Sequence, residues 1–127
     1  MKKLMSKYLN LSILFLFSIV AVIVISQASI AQKSAQDYIE KAQSHIQKNE
    51  YERAVKKLNQ AIKINRDSFN AYYNLGLVYS EQGKLEEAIE NYTQAIEIKS
   101  DFAKVYHNRA DVRRRQGNLE GAIRDYT

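Results

Sequence analysis

A chain of 127 residues has room for one domain and a targeting segment. It contains no Cys and no Pro and only four Gly, which removes disulfides, thiolate metal sites and cysteine nucleophiles and leaves long helices few breakers. The formal charge of +5 is uneven: Lys2, Lys3 and Lys7 stand unopposed in residues 1–31, leaving 16 basic against 14 acidic residues in 32–127. So balanced a body reads as a solvated helical surface, and no nucleic-acid partner is expected.

The first element is an address. Residues 1–12 are basic and mixed. Ile13 to Ile25 is then apolar apart from Ser18 and small Ala21, and Gln27-Ala28-Ser29-Ile30-Ala31-Gln32 follows as a small, polar stretch. Basic start, apolar middle and small residues at Ser29 and Ala31 make the three-part layout of a secretory signal, with a cut expected after Ala31. The absence of Cys excludes the lipoprotein version. The alternative is an uncleaved anchor over residues 9–25, whose polar intrusions are Asn10, Ser12 and Ser18; a span takes about 20 apolar residues, and about 17 can suffice. In either case the lysines stay cytoplasmic and the body crosses. The expected location is therefore exported, periplasmic or secreted, with the membrane-anchored form as alternative. Residues 1–31 are assigned to the signal or anchor, and membrane contact is expected only through them.

Beyond this segment the chain repeats every 34 residues. Tyr38, Tyr72 and Tyr106 fall in one column, as do Ala42, Gly76 and Ala110. Asn49, Gly83 and Gly117 share another; Ala54, Ala88 and Ala122 share a fourth, followed by Val55, Ile89 and Ile123, then Leu58, Tyr92 and Tyr126. Within the second unit Tyr72, Leu75, Gly76 and Tyr79 are spaced i, i+3, i+4, i+7, one face of a helix. Leu85, Ala88, Ile89, Tyr92, Ala95 and Ile96 form a second apolar stripe. Gly83 between them supplies the left-handed residue that ends a helix, and Asn49 is the next-best residue for that task. Small Gly76 and Ala88 on facing stripes let two helices approach closely. The predicted helices are 35–48, 51–65, 69–82, 85–99, 103–116 and 119–127, stacked as hairpins because no hairpin buries its own apolar face.

These residues, above all Ala71-Tyr72-Tyr73-Asn74-Leu75-Gly76 through Tyr79, Gly83, Ala88, Tyr92 and Ala95, resemble the tetratricopeptide repeat family. The resemblance covers about 35–127. Lys41 and His45, and Arg109 and Arg113, occupy places that are usually apolar, and Arg66 and Ser100 stand where a closing proline is common. It implies an all-α, right-handed superhelical stack of antiparallel hairpins within 32–127: repeats 35–68 and 69–102, and an incomplete third at 103–127. The third unit stops about nine residues short of its period with an open apolar end. That suggests a truncated reading frame, or a chain completed by a partner or a copy of itself.

The stripe opposite the core on the first helix of each unit is Asn70, Tyr73, Asn74, Leu77 and Glu81, then Lys104, His107, Asn108, Asp111 and Arg115. The resemblance makes this side a concave groove for an extended peptide or a partner helix. Tyr73 and Leu77 would give apolar contact, and Asn74 and Asn108 would bond a peptide backbone. The plainer reading is that these are merely exposed helix positions. The family's carboxylate clamp for acidic C-termini is not reproduced: Asn74 and Lys104 match, but Ile39, Gln43 and Asn108 stand where it has Lys, Asn and Arg. Arg109 and Arg113, four apart on the packing side, are expected to lay their stems over apolar neighbours and keep their heads wet; Arg114 and Arg115 point elsewhere.

His45 and His107 lie in different units, no phosphate-binding glycine loop is present, and no nucleophile–base pair is legible. No cofactor, metal or catalysis is expected. The leading reading is a protein–protein interaction module acting outside the cytoplasm. Its rivals are a structural protein that self-assembles through open repeat ends and a truncated gene remnant.

Overall fold

Six helices follow one another along residues 1–127 of the computed structural model: α1 (Lys2–Gln47), α2 (Tyr51–Ile64), α3 (Phe69–Glu81), α4 (Leu85–Ile98), α5 (Ala103–Arg115) and α6 (Leu119–Tyr126). They divide into two units, Met1–Lys33 and Ser34–Thr127.

The first unit is one stretch of α1. Its apolar side chains, Leu14, Phe15, Phe17 and Ile25 among them, are exposed. An 18-residue window reaches a mean hydropathy of 2.6, so by length and composition this helix could cross a bilayer. The sequence reading began its first repeat helix at 35, after a polar break; the observed helix already runs from Lys2. The reason is compositional: no Gly or Pro occurs before Gly76, and Ser, Gln and Ala at 26–36 cost a helix little.

In the second unit the repeat period appears as three equivalent turns. Asn49, Gly83 and Gly117 have φ of 57°, 73° and 83°, the left-handed region that Gly enters freely and Asn enters best among the rest. Each turn is closed by the same long bond, from Glu50 N–H to the His45 carbonyl (2.9 Å), Lys84 to Tyr79 (2.9 Å) and Asn118 to Arg113 (2.8 Å). These bonds satisfy carbonyls that the helix ends would otherwise leave orphaned. The turns between repeats are built differently: α2 and α4 end in extended residues, Asn65 and Lys99. The Ser68 hydroxyl then caps α3 by accepting from Ala71 N–H.

The hairpins are held by small residues. Ala54, Ala88 and Ala122 are all buried. Gly76 admits the Tyr92 ring so closely that a Cβ there would sit 2.5 Å from it. One core cluster runs from α1 to α3 through Ile39, Ala54, Leu58, Ala71, Leu75 and Val78. The other runs from α3 to α5 through Ala88, Tyr92, Ala95, Val105 and Val112. On α6, Leu119, Ile123 and Tyr126 are 61%, 62% and 49% exposed, although their register equivalents on α4 include Tyr92 at 1%.

Candidate protein-binding groove

The ten residues of the predicted outer stripe have different fates. Asn70, Glu81, Lys104, His107 and Arg115 are exposed; Tyr73, Leu77, Asn108 and Asp111 are half-buried; Asn74 is buried. Tyr73 lies parallel to Phe69 (centroids 6.0 Å apart), edge-on to Phe102 and tilted against Tyr92. Its hydroxyl accepts a hydrogen bond from Asn108 Nδ2 at 3.2 Å, tying α3 to α5. Asn74 turns back on its own helix, Nδ2 donating to the Asn70 carbonyl at 2.7 Å. Tyr73 and Asn108 therefore join α3 to α5, and Asn74 bonds within α3; the helical wheel showed their side of the helix, not how far the neighbouring helix reaches over it.

Six of the ten do converge. Leu77 and Glu81 on α3, with His107, Asn108, Asp111 and Arg115 on α5, line a cavity of about 200 Å³ together with Ser80 and Tyr92. Asn70, Tyr73, Asn74 and Lys104 do not line it. Ser80 and Tyr92 were missed by sequence reasoning. Ser80 carries no signal in its own helix, yet its hydroxyl accepts from Arg115 Nη1 at 2.7 Å and its carbonyl from Nη2 at 3.1 Å, across 35 residues of sequence. Tyr92 reads as core, which it is. Burial pushes its phenol well above the usual tyrosine range, and the neighbouring Tyr73 adds to the effect. Asp111 is bound by Arg114 at 2.7 Å, whereas Glu81 makes no hydrogen bond or ion pair. Glu81, His107 and Asp111 do not form a metal-binding group.

On the opposite side of α5 the expectation for two arginines is corrected. Arg109 grips the Asp125 carboxylate with two bonds (Nε–Oδ2 2.9 Å, Nη2–Oδ1 2.6 Å), and Arg113 adds a third at 2.8 Å. Arg109 Nη1 also donates to Thr93 Oγ1 at 2.9 Å. The Asp125 side chain is only 4% exposed, so these heads are paired rather than solvated. A partner on α6, 12 and 16 positions away, lies outside any single-helix pattern. Arg114 and Arg115 point elsewhere, as expected. A wider cavity of about 500 Å³ opens beside this group between Tyr106, His107 and Tyr126.

Paired helices on a 34-residue period, with small residues at the crossings and a lateral cavity between successive first helices, define a helical-repeat scaffold. Residues 42–83 match the family profile described as TPR repeat, and residues 69–102 the one described as Tetratricopeptide repeat. The chain belongs to the tetratricopeptide repeat family. Two crystal structures of MamA are similar to it at 30% identity, with TM-scores of 0.72 and 0.71 over 75% of this chain. It covers 56% and 52% of those chains, little more than half their length. The second TPR of Spaghetti (RPAP3), solved bound to the HSP90 peptide SRMEEVD, shares the fold: TM-score 0.74, 24% identity, 80% of this chain and 92% of that one. Among curated proteins, none matches.

Proposed function

We propose that the repeat unit binds a peptide segment or partner helix along the α3–α5 face, outside the cytoplasm and without catalysing a reaction. The observation that carries this reading is the cavity between α3 and α5, which Leu77, Glu81, His107, Asp111 and Arg115 line together. A peptide-bound structure of the same fold supports the mode of binding. The apolar stretch of α1, preceded by Lys2, Lys3 and Lys7, supports export or anchoring with the repeats on the far side of the membrane.

The test blocks the cavity from a position outside both core clusters. His107→Trp places a large ring at the mouth from an exposed position. Affinity capture from the envelope fraction with the full chain should lose its partners in this variant while the melting temperature stays unchanged. Partners retained at wild-type level would refute the groove reading. Intact mass of the mature protein decides between cleavage after Ala31 and an uncleaved anchor.

A second reading draws on the exposed Leu119, Ile123 and Tyr126 of α6: copies of the chain could pair through this apolar stripe. Molar mass that rises with concentration, and stops rising in Ile123→Glu, would favour it.

A further inference from the structure

We infer that the α3–α5 cavity is a socket for one basic side chain, Lys or Arg, of the bound segment, with the Glu81 carboxylate as its acceptor. This rests on the groove reading and specifies the chemistry of the partner.

Size comes first. About 200 Å³ falls below the roughly 300–1,000 Å³ of small-molecule and cofactor sites, so the space suits a single side chain. Charge comes second. Three ionised groups line the cavity: Glu81, Asp111 and Arg115. Arg115 is turned onto the Ser80 hydroxyl and carbonyl through both terminal nitrogens, and one Asp111 oxygen is taken by Arg114. The lining thus holds two carboxylates to one guanidinium, and the Glu81 carboxylate is the one with no hydrogen-bond or ion-pair partner.

The Tyr92 phenol is raised by burial and then by Tyr73, against the Asn108 hydrogen bond; the Glu81 charge adds to the rise and the Arg115 charge opposes it. Leu77 supplies an apolar wall for the methylene stem of a long cation, whose head reaches the rim. Elsewhere in the repeat unit lysine ammonium groups sit over aromatic rings: Lys84 Nζ lies 5.7 Å from the Tyr79 centroid, and Lys99 Nζ lies 5.8 Å from Phe69 and 5.4 Å from Phe102. An acidic side chain would face Glu81 and Asp111 while the only lining arginine is already bonded.

The test selects random short peptides, displayed on phage, against the full chain in lipid nanodiscs. Selected peptides should share a Lys or Arg at one position, and selection against Glu81→Lys should replace it with Asp or Glu. Changing that lysine to norleucine, or Glu81 to Gln, should each weaken binding about tenfold, the low end for close interfacial charge pairs. Together they should cost little more than either alone. Peptides that lack a basic residue, or that bind Glu81→Gln unchanged, overturn the inference; if His107→Trp still abolishes their binding, the groove reading survives. No selectable peptide, or peptides indifferent to His107→Trp, overturns both.

Discussion

The hairpins α3–α4 and α5–α6 occupy the same register of the repeat, yet their helices are joined by different chemistry. In the first, Gly76 presents bare backbone to the Tyr92 ring, and Tyr79 adds apolar surface. In the second, Ala110 replaces the glycine, Tyr126 lies half open, and Arg109, Arg113 and Asp125 stand where α3–α4 has Leu75, Tyr79 and Asn91. The period thus specifies where two helices cross and how small the crossing residues must be, while the contact beside the crossing can be a hydrocarbon wedge or an ion group. The two are not energetically equal. Burying an aromatic ring contributes outright. A buried ion group must first offset the desolvation of every member, and its main effect is to penalise any arrangement that leaves one unpaired.

The sharpest way to break this comparison is Tyr92→Ala, which removes the largest fully buried side chain. It should cost about 3–5 kcal/mol in urea unfolding; a loss under about 1 kcal/mol would mean that the ring does not hold the hairpin. Next is Asp125→Ala, which strands two guanidinium groups and should cost about 3 kcal/mol. The triple change Arg109→Leu, Arg113→Tyr and Asp125→Asn converts the third hairpin to the second's residues. It should be neutral or stabilising by up to about 4 kcal/mol, and a triple variant as unstable as Asp125→Ala would show that the ion group contributes net stability.

Smaller effects sharpen the contrast at the crossings. Gly76→Ala should cost about 1–3 kcal/mol by driving a methyl into the Tyr92 ring. In the third hairpin Ala110 already fills that column; Ala110→Gly should lose about 1 kcal/mol, mostly through helix propensity. Equal responses at 76 and 110 would mean that the two crossings are alike after all.

The smallest effect concerns the half-buried His45–Glu50 contact of the first turn. His45 Nδ1 donates to Glu50 Oε2 at 2.6 Å. This bond holds the Glu50 carboxyl below its usual range; burial opposes it, and the Arg53 charge adds to the lowering. A carboxyl lowered by folding adds stability above its unfolded pKa and loses it as pH falls through the folded one. Glu50→Gln should therefore lower the neutral plateau slightly and flatten the acid limb of the stability profile below about pH 4.5. An unchanged acid limb would show that the pair contributes nothing.

Much of the fold was legible because repeats are written in local signals. Asn49, Gly83 and Gly117 mark the hairpin turns by backbone conformation alone, and the Ala54, Ala88, Ala122 column marks the crossings by size. The groove was legible only in part. Six of the ten predicted residues converge on the cavity, but Asn70, Tyr73, Asn74 and Lys104 do not line it and Ser80 gave no sign. A helical wheel sorts side chains by direction, and direction does not say whether a neighbouring unit covers them. Arg109 and Arg113 fail for a related reason: their anion lies on the next helix, so the wheel showed only two cations on an apolar side.

The amino-acid sequence by itself determined the helical class, the repeat period, the turns and the small-residue crossings, since each depends on residues within one or two helical turns. It also determined the apolar helix at the front, because some 13 consecutive residues with a single polar interruption need no tertiary context to be recognised. The tertiary structure decided the rest. The Arg115–Ser80 bonds, the Asp125 ion group and the unpaired Glu81 at the socket join residues on different helices, and only the crossing of those helices determines which charges meet and which remain open to a partner.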